Sequence, residues 1–167
     1  FMFDGLYKVI ELDISGNMIR EIEFEAFNGL FNIQRLSLFE NKLEFIEKES
    51  FKHLNSLKVL FLDENKIREL KDLTFFYLKY LIQLSLMHNK IQFISSKAFS
   101  GLFNLRTLRL DNNLIKSINK FILQDLKNLS GLYLYENQIS SLDVDAFKSL
   151  VNLDSLVIID NCLTKIK

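Results

Sequence analysis

The chain has 167 residues, with 21 Lys and Arg balanced by 21 Asp and Glu, so its formal net charge is zero. Because both signs are interspersed, the composition predicts no nucleic-acid partner and no anionic membrane surface. The absence of Pro and the 16 Phe exclude a disordered linker, no apolar run is long enough to cross a bilayer, and the single Cys excludes an internal disulfide.

One pattern recurs along the whole chain and is clearest at Leu105–Ile115, which reads L-x-x-L-x-L-x-x-N-x-I. Its Asn returns every 24 residues without an insertion, at Asn17, Asn41, Asn65, Asn89, Asn113, Asn137 and Asn161. Self-similarity at a fixed period is the signature of a stacked repeat array. We therefore predict a single array with a partial repeat at 1–8, repeats starting at 9, 33, 57, 81, 105 and 129, and a partial repeat at 153–167.

The first half of each 24-residue repeat is predicted to be a strand. Positions 1, 4 and 6 are apolar, as in Val9, Leu12 and Ile14, and this spacing turns one face of the strand inward. Because each strand returns in the same direction one repeat later, the sheet must be parallel.

The second half of each repeat is predicted to fill the interior. Positions 11, 14, 19 and 22 are apolar, and position 19 forms a column of stacked core residues: Phe3, Phe27, Phe51, Phe75, Phe99, Leu123 and Phe147. The repeated Asn at position 9 carries both donors and acceptors on a short stem. We expect all seven to be structural, each joining its own turn to the next repeat.

These features resemble the leucine-rich repeats, and the A-F-x-x-L segments at 26–30, 98–102 and 146–150 resemble their typical 24-residue subclass. The resemblance implies an α/β-type repeat solenoid: a right-handed horseshoe with a parallel β-sheet on its concave face and short turns or 3-10 segments on its convex face. It also points to the ectodomains of Toll-like, relaxin-type and Slit-like proteins. Such ectodomains usually have Cys-rich caps, which are missing here, so we expect an excerpt of a longer array.

Function is expected where the repeats differ, at the strand positions that face solvent on the concave side. Positions 5 and 7 place aromatic, aliphatic and Arg side chains there, the composition of interface hot spots. The candidate ligand-binding residues are Phe39, Phe61, Met87, Arg106, Arg109, Tyr133, Tyr135, Val157 and Ile159. Two alternatives stay open: cross-strand pairing alone rewards exposed apolar residues, and an ion pair of Arg106 or Arg109 with Asp111 is purely local.

Other sites are weaker or not expected. Asn128-Leu129-Ser130 is a possible N-glycosylation sequon, although one or two arise by chance in such a composition. The sequence offers no nucleophile motif, phosphate-binding loop or metal-ligand spacing, so we expect no enzyme, no cofactor and no metal.

The leading hypothesis is a protein-recognition module from an extracellular receptor or adhesion ectodomain. Its expected partner is a protein ligand or co-receptor, with a homodimer or heterodimer possible, and it would reach a membrane only through a segment outside this chain. A secreted soluble immune or inhibitory binder is the first alternative, and an intracellular structural scaffold is the second. Fold resemblance alone does not decide among them.

Overall fold

The computed structural model describes residues 2–165, and they form a parallel-sheet solenoid. Eleven strands occur in chain order: β1 (Glu11–Asp13), β2 (Arg35–Ser37), β3 (Val59–Phe61), β4 (Glu69–Leu70), β5 (Gln83–Ser85), β6 (Phe93–Ile94), β7 (Thr107–Arg109), β8 (Ser117–Ile118), β9 (Gly131–Tyr133), β10 (Ser141–Leu142) and β11 (Ser155–Val157). The main sheet has seven strands in the order β1-β2-β3-β5-β7-β9-β11.

Every pairing in the main sheet is parallel and offset by one repeat. Leu12 is opposite Leu36, and the same register continues through Leu60, Leu84 and Leu108 to the following repeats. These position-4 side chains point into the interior, where Leu36, Leu60 and Leu84 are fully buried. The predicted parallel sheet with period-24 register is therefore confirmed.

The position-19 residues form one continuous stack through the interior. The rings of Phe3, Phe27, Phe51, Phe75 and Phe99 lie 6.0–6.2 Å apart between neighbouring centroids, with interplanar angles of 8–15°. Leu123 continues this column and is fully buried. Burying such a side chain is worth about 1.5–3 kcal/mol, which gives the stacked array stability that no single repeat has alone.

The repeated Asn residues join neighbouring repeats as a hydrogen-bond ladder. The Oδ1 of Asn113 accepts from the Ile91 N–H at 2.9 Å, and its Nδ2 donates to the carbonyls of Leu86, Leu110 and Asp111 at 2.9–3.1 Å. The expected direction was therefore wrong: besides its own turn, Asn113 bonds to the preceding repeat and not to the next one. Asn41, Asn65, Asn89 and Asn137 are buried and repeat these contacts, whereas Asn17 is exposed and bonds only to its own turn.

The side opposite the main sheet differs from the predicted architecture. Residues 2–165 contain no helix and no 3-10 segment; they use turns and two short parallel pairs, β4 with β6 and β8 with β10. The reason is visible near residue 25, where i→i+3 bonds are accepted by Glu23, Glu25 and Phe27 but not by the residues between them. Alternate, unconnected turns do not propagate into a helix. The α/β class and the 3-10 segments are therefore not confirmed, and right-handedness stays a prediction.

Among the described residues we also find no helix with the length and hydrophobicity that crossing a bilayer requires.

Candidate functional site

The solvent-facing side of the main sheet, which we call the open face, consists of positions 3, 5, 7 and 8 of each repeat. Eight of the nine predicted ligand-binding residues lie on it, at positions 5 and 7. Their exposure differs: Phe39 and Ile159 are exposed, whereas Phe61, Met87, Arg109, Tyr133, Tyr135 and Val157 are half-buried. Arg106 is elsewhere, at position 2, just before β7 begins.

Tyr133 is held between two neighbours before any ligand arrives. Its strand β9 pairs with β7, which places Tyr133 directly opposite Arg109, and the Arg109 guanidinium carbon lies 5.3 Å from the centre of the tyrosine ring. The ring also lies along Gly131, where an added Cβ would be only 2.9 Å from the ring carbon Cε2. Because Gly131 has no side chain, it leaves the space that the Tyr133 ring occupies.

The Arg109 side chain is itself held by a carboxylate two residues further along the chain. Its Nε donates to Oδ2 of Asp111 at 3.0 Å, and the Asp111 side chain is only 3% exposed. Oδ1 of Asp111 accepts from the Tyr135 N–H of the next repeat at 3.1 Å. The predicted local ion pair with Arg109 is present. It also orients the guanidinium over Tyr133, so the local role and a role in recognition are compatible.

Tyr135, Val157 and Ile159 extend this surface into the last repeats. The Tyr135 hydroxyl donates to Oε1 of Glu136 at 2.6 Å, and this bond to the neighbouring carboxylate is the first cause that raises the pKa of Tyr135. Val157 lies opposite Tyr133 in the β9–β11 pairing. Together with Tyr133, these residues form what we call the Tyr133 cluster.

The second predicted pair, Phe39 and Phe61, is less strongly fixed. The Phe61 ring lies near Arg35, whose guanidinium carbon is 5.7 Å from the ring centre. Arg35 also pairs through Nε with Oε1 of Glu11 at 3.2 Å, and both side chains are largely exposed. Exposed pairs of this kind contribute little to stability, so this part of the face is less preorganised than the Tyr133 cluster.

A buried carboxylate lies between these two regions. Asp63 is 8% exposed; Oδ1 accepts from the Ser85 hydroxyl and, at 2.7 Å, from the Met87 N–H. Burial raises the pKa of Asp63, and the two hydrogen bonds and the charge of Arg109 act in the opposite direction. The predicted site residue Met87 is thus tied through its main chain to the adjacent repeat.

Position 8 has a conformational role that sequence reasoning missed. Glu40, Glu64, His88, Asn112, Glu136 and Asp160 all have φ between 49° and 55°, and Gly16 fills the same position with φ 66°. A residue in the left-handed conformation therefore follows every strand of the main sheet, three residues after the strand ends. Gly16 and Asn112 were the available signals, because these residue types tolerate that conformation most readily.

The possible glycosylation site belongs to a second set of side-chain bonds. Asn128 is exposed, but its Nδ2 donates to the Phe103 carbonyl of the preceding repeat at 2.8 Å. The Ser130 hydroxyl donates to the Arg106 carbonyl at 3.1 Å, and Leu129 between them is fully buried. Attaching a glycan to Asn128 therefore requires an unfolded chain or a local opening of this edge.

The open face is strongly acidic although the whole chain is neutral. Positions 3, 5, 7 and 8 carry only two cationic residues, Arg35 and Arg109, against eight acidic ones: Glu11, Asp13, Glu40, Asp63, Glu64, Asp111, Glu136 and Asp160. Within residues 2–165 no three His, Cys, Asp or Glu side chains are placed to hold a metal ion. This charge pattern favours neutral or basic partner surfaces on the open face.

Comparisons with known proteins agree with this geometry. The family model described as "Leucine rich repeat" matches residues 56–115 and 103–163, which together cover more than half of the chain. A search of curated protein sequences found no match. Among solved structures 360 chains are similar, so the fold is common and does not by itself select a function.

One similar solved structure is the crystal structure of a TLR13–ssRNA13 complex. It shares 31% sequence identity with this chain and has a TM-score of 0.70. The match covers 94% of this chain but 26% of the TLR13 chain, so this sequence spans about a quarter of that protein. On the family match, the stacked period-24 register and the buried Asn ladder, the chain belongs to the leucine-rich repeat family.

Proposed function

We propose that this array is a non-catalytic recognition module that binds a protein ligand on its open face, centred on the Tyr133 cluster. The observation that carries the proposal is the fixed position of the Tyr133 ring between Gly131 and the guanidinium of Arg109. A large aromatic side chain that is already ordered loses little conformational entropy when a partner covers it. Tyr and Arg residues with that property dominate the binding energy of protein interfaces.

The charge of the open face supports a protein over a nucleic acid at this surface. The TLR13 structure is a complex with RNA, but eight acidic side chains against two cationic ones would repel a phosphate backbone here. A protein surface can place apolar residues over Tyr133, Val157 and Ile159 and basic residues near Glu136 and Asp160. We expect the ligand to be neutral or basic where it contacts the face.

We further propose that the module is part of an extracellular receptor or adhesion ectodomain. Support comes from the similarity to TLR13. A secreted soluble binder would use the same face. An intracellular scaffold would leave Asn128 unmodified, so mass spectrometry of the protein from its native source separates the scaffold from the other two.

The experiment uses the purified chain as bait for proteins in extracellular fluid, followed by affinity measurement with the purified ligand. The double variant Tyr133→Ala with Tyr135→Ala should weaken binding by roughly thirtyfold or more, because hot-spot truncations cost about 2 kcal/mol or more. The matched control is Phe93→Ala with Phe121→Ala, which removes two exposed aromatic side chains from other parts of the array. Unchanged affinity of the tyrosine variant, or an equal loss in the control, would reject the proposal.

A further inference from the structure

A second surface lies along the edge at which the strands of the main sheet begin. We call it the entry edge and define it by positions 23, 24 and 2 of the repeats. Along position 2, the Ile82 N–H donates to the Lys58 carbonyl at 2.8 Å, and the Arg106 N–H donates to the Ile82 carbonyl at 2.8 Å. Lys58, Ile82 and Arg106 are therefore consecutive neighbours in one row, with the aliphatic residue between two cations.

A parallel row at position 23 has the same arrangement. Asn104 donates from Nδ2 to the Lys79 carbonyl at 2.8 Å, and Asn128 donates to the Phe103 carbonyl at 2.8 Å. These side-chain bonds fix successive repeats, so Phe103 lies between Lys79 and Lys127 one repeat away on either side. Val151 of the position-23 row and Arg106 of the position-2 row line one shallow depression together with Asn104 and Asn128, so the two rows share a surface there.

The centre of the entry edge is apolar and open to solvent. Phe103 is 57% exposed, Ile82 37% and Tyr80 62%; Tyr80 ends one repeat, and Ile82 and Phe103 belong to the next. Single exposed apolar residues are common on proteins, but three on neighbouring repeats form a patch. The hydrogen-bonded backbone beneath them holds the patch in one arrangement.

The rim of this patch carries cationic side chains whose charges are not neutralised by ion pairs among the described residues. Lys58, Lys79, Arg106 and Lys127 are all exposed, and none of them forms an ion pair within residues 2–165. Asp154, at position 2, is the one acidic residue of the entry edge and lines the same depression as Arg106, whereas Asp125 is at position 21, outside the edge. The neutral chain is thus polarised, with an acidic open face and a basic entry edge.

We propose that the entry edge binds an acidic segment of a second protein, whose apolar side chains cover Tyr80, Ile82 and Phe103 while its carboxylates meet the four surrounding cations. An apolar centre inside a charged rim is the general anatomy of protein interfaces. Opposite charge at the rim accelerates association and selects the partner. This surface is separate from the Tyr133 cluster, so the array can hold two proteins at once.

The apolar centre favours a protein over a single-stranded nucleic acid. Nucleic acids need aromatic faces for successive bases along a basic track. Here aliphatic Ile82 occupies the middle of one row, and Phe103 is the only aromatic residue between the cations of the other. An amphipathic acidic segment matches both rows, because its apolar and acidic residues can alternate in the same way.

The test selects ligands for the purified chain from a displayed library of random 12-residue peptides, with the Tyr133→Ala/Tyr135→Ala variant as a second bait. We expect enriched peptides to be net negative with apolar residues between their acids, and to bind both baits equally. A selected peptide, labelled with fluorescein, should lose roughly tenfold or more in affinity on Lys58→Gln, Lys79→Gln, Arg106→Gln and Lys127→Gln combined. Tyr80→Ala with Phe103→Ala should cause a similar loss that persists at high salt.

The matched charge control is Lys42→Gln, Lys66→Gln and Lys90→Gln, which neutralises three exposed or half-exposed lysines at position 10, outside the entry edge. Thermal unfolding verifies that every variant is folded. The absence of net-negative peptides among those enriched on the Tyr133→Ala/Tyr135→Ala bait, or an equal loss in the position-10 control, would overturn the proposal. It would also be overturned if a 12-nucleotide single-stranded RNA bound more tightly than the peptide and lost affinity in the same variants. Failure here leaves the Tyr133 cluster untouched, because the tyrosine variant tests that surface separately.

Discussion

Replacing Asn113 with Ala removes one rung of the ladder that joins the repeats. Asn113 is 4% exposed and makes four hydrogen bonds to the main chain. The three carbonyls that accept from Nδ2 each keep another donor: Leu86 keeps Asn89, Leu110 keeps Asn137, and Asp111 keeps the His88 N–H. The Ile91 N–H is different, because it donates to Oδ1 of Asn113 and loses this acceptor in the variant.

These hydrogen bonds determine the expected loss in the free energy of unfolding. One orphaned buried N–H costs about 1–3 kcal/mol, and the lost donations to shared carbonyls add about 0.5–1.5 kcal/mol for each of the two amide protons. We therefore expect Asn113→Ala to lower the free energy of unfolding by about 2–6 kcal/mol. Guanidinium denaturation followed by circular dichroism measures this loss as a lower midpoint.

The matched control is Asn17→Ala. Asn17 is exposed and donates only to Ile14 and Ser15 in its own turn, both at 3.0 Å, so its loss should cost under about 1 kcal/mol. An unchanged midpoint for Asn113→Ala, or equal losses for the two variants, would refute the assignment of the ladder as a structural element.

Three further changes test other parts of the structure. Phe75→Ala should cost about 3–5 kcal/mol in the same assay, because the ring is fully buried in the stack; a loss below 1 kcal/mol would contradict that packing. Gly131→Ala should displace the Tyr133 ring, altering the near-ultraviolet circular dichroism and weakening ligand binding while the far-ultraviolet spectrum stays the same; an unaltered near-ultraviolet spectrum would refute the contact. Burial raises the pKa of Asp63, so the folded state binds a proton at higher pH than the unfolded state, and stability from this group falls as pH rises through the raised pKa. The stability of the wild type relative to Asp63→Asn should therefore increase as pH falls from 7 toward 4, and a pH-independent difference between the two would contradict the raised pKa.

The main sheet and its interior could be predicted because each depends on a pattern that the repeats share. Leu at position 4, Phe at position 19 and Asn at position 9 recur every 24 residues, and the structure places them in the strand, the stack and the ladder. Stacking couples identical positions, so the periodicity alone determines which residues meet.

The remaining features depend on contacts that periodicity does not encode. The side opposite the main sheet lacks the expected 3-10 segments in the described residues because its i→i+3 bonds alternate along the chain. The Tyr133 site was predicted by composition, but the support from Gly131 depends on the direction of one ring. The basic entry edge could not be predicted from the net charge, because the acidic residues of one face and the basic residues of another cancel in the sum. Only the fold brings Lys79 and Lys127 to opposite sides of Phe103.

The central proposal is that a protein ligand binds the open face. Hydroxyl-radical footprinting of the array, alone and saturated with its captured ligand, reads side-chain accessibility directly. We predict protection of Tyr133, Tyr135 and Ile159 in the complex, with Phe93 and Phe121 oxidised at the same rate in both states. Protection confined to Phe93 and Phe121, with the Tyr133 cluster still accessible, would contradict the account.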